Sequence, residues 1–330
     1  MPENSNFFRG KSVLVAGGTG LIGIPLVKIL LEQGASVRIV SLDSPSRAHP
    51  QAEFMPLDLT ILDNCSRACL GMDYVFNLLC IKGSPKTMVT KPASVFYPML
   101  TFNTQLMEAA WRCKVNGFLF TSSIGVYEPA EVLRENDVWQ TFPSPNDRFA
   151  GWVKRMGELQ AEAYRIEHGW NNINIVRPSN VYGPYDNFDS NSAMVVPSLI
   201  KRMTRGENPF VVWGNGTAKR DFIHAEDVAR GMILVTEKNP GVPVNLGSGI
   251  GTSIKKLVEI IRSNSPIKPN IVWDDSMPSG DKKRILDISR ATNLGFRPQI
   301  NLEDGIRDTY KWYSVNRDRV GNRYDVFNKS

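Results

Sequence analysis

The stretch Gly17-Gly18-Thr19-Gly20-Leu21-Ile22-Gly23 constrains this chain more than any other. Its glycines stand at the spacing GxxGxxG between a short apolar run, Ser12–Ala16, and an apolar-periodic segment, Leu21–Gln33. Such a turn lets a strand reverse sharply into a helix, and lets backbone N–H groups approach an anion at the helix N-terminus. In the segment that follows, Leu26, Ile29 and Leu30 share one face. Pro25 falls in the first turn, where a missing N–H costs least, and Gly34 is placed to stop the helix. A purely structural turn is the competing reading. The strand before and the helix after favour a dinucleotide pyrophosphate seated on Gly17, Thr19, Gly20, Leu21, Ile22 and Gly23.

Downstream the pattern keeps the rhythm of a parallel sheet wrapped by helices. Val37–Val40, Phe54–Leu57, Tyr74–Leu78, Phe118–Thr121 and Ile173–Arg177 read as the second to sixth strands. Phe96–Cys113 and Trp152–His168 carry apolar residues at helical spacing. After Pro178, loops rich in Gly, Asn and Pro alternate with short strands and helices. The expected fold is α/β: a doubly wound parallel Rossmann sheet with a smaller mixed α/β C-terminal substrate domain. The dinucleotide-binding domain is expected in residues 1–178 with a return around 222–246, and the second domain in 179–221 and 247–322. Residues 323–330 read as a tail, part of an Arg- and Asn-rich end after Trp312 with the look of poor order.

The end of the second strand should read the adenosine ribose. It runs Ile39-Val40-Ser41-Leu42-Asp43, with Ser41 where an acid would favour NAD and Asp43 two residues on. No arginine follows at once to receive a 2′-phosphate, although Arg47 is near, so NAD is favoured over NADP. Asp58 and Leu59, after the third strand, suit an adenine cap of one carboxylate and one apolar contact; the alternative for Asp58 is a helix N-cap ahead of Ile61. Asn77 and Leu78, ending the fourth strand, are further candidates along the cofactor.

Composition excludes several classes. The 330 residues are 42% hydrophobic and 22% charged, as in an ordinary globular protein. The net charge of +6 is dispersed, with no Lys/Arg run longer than three, so a solvated surface is favoured over a nucleic-acid surface. No apolar window reaches the length of a membrane span, and the N-terminal residues lack the apolar core of a signal peptide. Four cysteines and three histidines without ligand spacing argue against a metal site and for free thiols in a reducing cytoplasm.

Several motifs together resemble the extended short-chain dehydrogenase/reductase family, the NAD-dependent sugar-nucleotide epimerases and dehydratases. They are Gly17–Gly23, Asp58-Leu59, Thr121-Ser122-Ser123-Ile124-Gly125-Val126-Tyr127, Lys154 with Glu158, 177–184 (RPSNVYGP), 213–216 (WGNG) and 220–224 (RDFIH). Within it the GDP-L-fucose synthase branch is most similar, through 182–188, 211–224 and 281–287. The resemblance implies NAD(P)-dependent redox chemistry at a sugar carbon, C4, of a nucleotide sugar, GDP being favoured. It implies a Ser, Tyr and Lys: the Tyr moves a proton at the sugar oxygen, the Lys lowers its pKa and holds the nicotinamide ribose, and the Ser bonds the same oxygen. Ser123 and Lys154 fit. The Tyr position, one helical turn before Lys154, is Ala150. A methyl group moves no proton.

Three explanations of Ala150 stand open: a substitute donor, an engineered exchange made to trap a complex, or a catalytically silent protein that binds cofactor and nucleotide sugar. Tyr127, Tyr182, Tyr185 or a water held by Ser123 and Lys154 are the candidate substitutes, with Tyr127 taken as the third catalytic residue. The branch also epimerises with a Cys and a His. Here Ile124 follows Ser123, and Ala193 and Met194 stand near the His position, so 3,5-epimerisation is not expected. By the same resemblance Asn180, Arg202, Trp213, Arg220 and Arg284 are expected at the substrate, Arg177 beside the cofactor, and the helices near Phe96–Cys113 and Trp152–His168 in a homodimer interface.

Overall fold

The computed structural model describes residues 6–81, 90–189, 192–277, 280–320, 323–324 and 326–328. A seven-stranded parallel sheet forms its centre, in the order β10-β6-β5-β4-β1-β2-β3. The strands are β1 (Ser12–Ala16), β2 (Ser36–Val40), β3 (Glu53–Met55), β4 (Tyr74–Asn77), β5 (Gly117–Thr121), β6 (Ile173–Pro178) and β10 (Val244–Leu246). Their near-continuous apolar sequences suit burial on both faces. Side chains alternate between the two: Val13 and Val15 join one core, Leu14 and Ala16 the other. Helices α1 (Gly23–Glu32) and α6 (Ala225–Lys238) cover the first face through Leu26, Leu30, Val228 and Met232. Helices α2 (Leu62–Cys69), α3 (Pro92–Arg112) and α4 (Arg148–His168) cover the second through Cys65, Val95, Leu106 and Val153. This is the doubly wound fold that the sequence pattern predicts.

The remaining elements form a smaller layer with its own core. β9 (Lys219–His224) pairs antiparallel with β11 (Gly251–Ser253) and parallel with β7 (Asn180–Tyr182) and β13 (Lys283–Arg284). β8 (Phe210–Trp213) pairs with β12 (Ile271–Asp274). Helices α5 (Val195–Thr204), α7 (Ile254–Asn264) and α9 (Leu302–Asn316) enclose Phe188, Ile200, Phe210, Leu257, Ile261 and Ile306. A short α8 (Ser289–Asn293) packs on the central sheet through Ala291.

Element ends differ from the sequence pattern where local geometry intervenes. α1 begins at Gly23 and not Leu21, because the glycine turn uses Leu21 and Ile22, and Gly34 follows it at φ 82. α4 starts four residues earlier than its apolar period suggests, after a Ser144-capped 3-10 turn, and ends on Gly169 at φ 63. Beyond Trp312, α9 continues to Asn316 and Phe327 packs on the core of α2, α3 and α4, while residues 321, 322, 325, 329 and 330 of the expected loose end lie outside the described residues. Among the described residues no helix is long and apolar enough to cross a membrane.

Candidate active site

The carboxyl ends of β1 to β6 open into one cleft of about 1320 Å³, at the edge where strand order reverses between β1 and β4. In open α/β sheets this is where ligands bind, because helix N-termini and loops converge there. Gly17 begins the floor at φ 85, its N–H donating to the Val40 carbonyl at 2.8 Å. A Cβ on Gly23 would stand 2.3 Å from the Gly17 carbonyl oxygen and 2.6 Å from Gly18 Cα. Only glycine allows α1 to close on the turn, and the result is a cradle that brings the α1 N-terminus to the cleft floor. Thr19, Gly20, Leu21 and Ile22 line it.

Beside the cradle the Thr19 hydroxyl lies 2.7 Å from Ser41 Oγ and 2.8 Å from Asp43 Oδ2, and Ser41 Oγ accepts the Asp43 N–H at 3.1 Å. The carboxylate of Asp43 is thereby fixed at the cleft wall. Arg47 donates to the Thr19 carbonyl at 3.3 Å, with Nε 3.7 Å from Asp43. Asp58 and Leu59 line the wall at the end of β3. Asp58 makes no helix cap; it accepts the Thr60 N–H and hydroxyl at 2.9 and 2.7 Å, a turn that precedes α2 by a residue or two.

Deeper in the cleft stand Ser123, after β5, and Lys154, on α4. Ser123 Oγ accepts the Gly125 N–H at 3.0 Å, which leaves its own hydroxyl proton to donate. Lys154 is buried and donates to the Thr121 carbonyl at 2.7 Å and the Leu79 carbonyl at 3.1 Å. The Thr121 hydroxyl is buried beside them with no hydrogen-bond partner among the described residues. A glycine cradle and an unpaired hydroxyl in one cleft fit a dinucleotide, which supplies phosphate and ribose oxygens. Ala150 faces the same side of α4 one turn before Lys154, packed on the core that includes Phe96 and Phe102. No phenol stands in its place. Of the nine tyrosines, Tyr97, Tyr313 and Tyr324 line the cleft.

Three expected site residues are turned away, which corrects their assignment. The Tyr127 hydroxyl donates to Asn245 Oδ1 at 2.6 Å and accepts from Arg177 at 3.0 Å, and burial pushes its pKa far up. It is a core residue, unable to replace the missing donor. Arg177 has no exposed surface, and its guanidinium is committed to Glu158, Tyr127 and the Glu135 carbonyl. Asn77 is buried below the cleft, bonding Asn103 and the Leu79 N–H, while Leu78 does line it. Of the other candidate donors, Tyr182 is buried beside Gly305, and Tyr185 packs on Trp312. A single buried position cannot be told from a cleft position by residue type alone.

The expected substrate residues fall into two groups. Arg220 and Arg284 come together around Asp281: Arg220 donates to its carbonyl at 2.6 Å, and Arg284 to its carboxylate at 2.6 Å, to Ser144 and to Asp147. Arg284 holds the Asp281 carboxyl below its usual range against the opposing effect of burial. Asp147 lies against Gly125, so this cluster borders the Ser123 loop at the start of α4. Arg202 is elsewhere, paired with Glu207 at 2.7 Å and bonded to the Val211 carbonyl beside the half-exposed Trp213. Asn180 donates to the Asp221 carbonyl at 2.9 Å and does not line the cleft. Sequence reasoning passed over Lys201 and Arg205, which do line it; their i, i+4 spacing at the end of α5, where Arg205 caps the helix, was the available signal.

Comparison with known proteins adds a lineage to this geometry. Residues 13–247 match the family model described as "NAD dependent epimerase/dehydratase family". A rice (Oryza sativa subsp. japonica) "Probable GDP-L-fucose synthase 1" is 31% identical over 318 residues, 93% of each chain. A "dTDP-4-dehydro-6-deoxy-D-allose reductase" from Streptomyces sp. is 28% identical over 94% of this chain and 98% of its own. Among solved structures, the UDP-glucose 4-epimerase of Thermotoga maritima, with UDP-glucose, superposes with a TM-score of 0.84 at 26% identity, covering 93% of this chain and 99% of that one.

Proposed function

Because the chain belongs to the NAD dependent epimerase/dehydratase family, we propose that it oxidises or reduces a sugar carbon, C4, of a nucleotide sugar, with GDP as the nucleotide. The observation that carries this reading is the meeting of the Gly17–Gly23 cradle, Ser123 and Lys154 in one cleft. The GDP-L-fucose synthase relatives support GDP, and relatives named for dTDP- and UDP-sugars support the wider class.

A bound nicotinamide supplies or accepts the hydride. The chain's own residues do the rest. The cradle and Asp43 orient the cofactor, Asp43 offering acceptors to the ribose hydroxyls. Arg47 is engaged with Asp43 and the Thr19 carbonyl, which supports NAD over NADP. Ser123 bonds the sugar oxygen, and the Lys154 charge favours negative charge there. With methyl at position 150, the proton passes through a water held by Ser123 and Lys154. Arg220 and Arg284 face the substrate's anionic part.

Ile124 is buried core and Met194 has no titratable group, which supports redox chemistry without 3,5-epimerisation. The outward residues Leu159 and Ile166 of α4 support a homodimer, and the four free thiols a cytoplasmic setting. Ala150 favours a second reading, a silent protein that binds both ligands without turnover. Calorimetric titration tests what the two share: NADH and a GDP-sugar each bind saturably, and failure of both to bind overturns both readings.

A further inference from the structure

The described residues of 323–328 lie across the mouth of the cleft. The Tyr324 N–H donates to Asp43 Oδ1 at 2.8 Å. The Phe327 carbonyl accepts from Lys91 Nζ at 3.4 Å, and Lys91 stands 5.8 Å over the Phe327 ring. The Arg323 guanidinium donates to the Tyr185 carbonyl. Arg323 thus reaches the smaller layer, Tyr324 the end of β2 and Phe327 the start of α3, and Tyr324, Val326 and Phe327 line the same cleft as Gly17–Gly23.

We propose that this segment is a strap belonging to the dinucleotide site: it closes over the adenosine end of a bound nicotinamide dinucleotide, and Asp43 anchors strap and ribose together. The proposal rests on the cofactor reading above. With the strap in place the cleft still holds about 1320 Å³, beyond the roughly 300–1,000 Å³ of sites that enclose drug-sized ligands. The strap walls the site and does not fill it. A carboxylate has about four lone-pair positions. Thr19 and Tyr324 take one on each oxygen of Asp43, so both oxygens keep an acceptor position for ribose hydroxyls.

The charges around the strap agree. Arg323 lies within electrostatic range of Arg47, Asp186 and Asp43. The Nε atoms of Arg323 and Arg47 are both buried without a hydrogen-bond partner among the described residues. Arg47 is already paired with Asp43, so the Arg323 Nε–H is the donor left beside the cradle for an oxygen of the bound dinucleotide. Cofactor exchange then requires the Asp43–Tyr324 contact to open, which makes the strap a brake on release.

The test is the rate of NADH release, followed by its fluorescence, in the full chain, in a variant ending at Val320, in Tyr324→Pro, which lacks the N–H, and in Tyr324→Phe, which keeps it. The shortened chain and Tyr324→Pro are expected to release NADH about tenfold faster, the scale of one hydrogen bond to a charged group. Tyr324→Phe, which keeps the N–H, should release NADH more slowly than Tyr324→Pro, and NADH should slow tryptic cutting after Arg323. Equal release from all four, or cutting indifferent to NADH, overturns the strap while leaving the cofactor reading intact. A full chain that binds no NADH overturns that reading instead. Should the shortened chain not fold, Tyr324→Pro and the protease assay decide.

Discussion

Glu158 holds Arg177 in a two-point ion pair, at 2.9 Å to Nε and 2.6 Å to Nη2, and the same carboxylate takes the Ser122 hydroxyl at 2.5 Å. Both partners are essentially without exposed side-chain surface. The pair joins α4 to β6 and, through Ser122, to the end of β5, one turn beyond Lys154 on the same helix. It ties the helical turn after Lys154 to the ends of β5 and β6. Removing one member of a buried pair leaves the other uncompensated. Glu158→Ala is expected to lower stability by about 3–5 kcal/mol in urea unfolding. A loss under about 1 kcal/mol would contradict this role.

Asp281 should contribute to acid sensitivity. Burial opposes its ionised form, but Arg284, Ser144 and Asn146 favour it more, so its folded pKa lies below the unfolded value. A depressed carboxyl contributes stability that is present above the unfolded pKa, about 3.9, and is lost as pH falls through the folded pKa. The urea midpoint of the parent should therefore fall as pH drops below about 4, more steeply than that of Asp281→Asn. Parallel profiles for the two proteins would count against the cluster.

The gap at Ala150 separates its explanations kinetically. If a water held by Ser123 carries the proton, Ser123→Ala should lower kcat by about 10²-fold or more while leaving NADH affinity unchanged. Ala150→Tyr should then change kcat by less than about tenfold, because the site already has its own route. A rise of about 10²–10⁴, the usual worth of a general acid or base, would identify Ala150 as a lesion in an otherwise ordinary enzyme.

Stereochemistry gives an independent check. The resemblance places the epimerising Cys after Ser123 and the His near 192–195, where this chain has Ile124 and Ala193-Met194, so no exchange beside the keto group is predicted. Incubating a GDP-4-keto-sugar with the protein in deuterium oxide should leave C3 and C5 unlabelled. Deuterium at either carbon, at a rate that scales with protein, would show an epimerising base.

What the sequence disclosed followed the range of the interactions. The glycine turn, the strand–helix rhythm and the Gly34 stop are local, and they reappear as β1, the cradle and α1. The parallel doubly wound sheet follows from strands apolar on both faces. Direction was harder. Arg177 and Tyr127 look like site residues by type and motif, but their destination is set by Glu158, Glu135 and Asn245, from 19 to 118 positions away. Arg202 was chosen where Lys201 and Arg205 line the cleft, because a one-residue step on a helix turns a side chain by about 100°. The contacts of Tyr324 and Phe327 were not legible because they are made by a backbone N–H and a backbone carbonyl, which have no sequence signature.

The most direct measurement is the absorbance of reduced nicotinamide when NADH and GDP-4-keto-sugars, or NAD and GDP-sugars, are mixed with the protein. The account predicts a change that scales with protein concentration, requires both ligands, and is lost in Ser123→Ala. An unchanged signal, with both ligands demonstrably bound, would contradict it and leave a binding protein in its place.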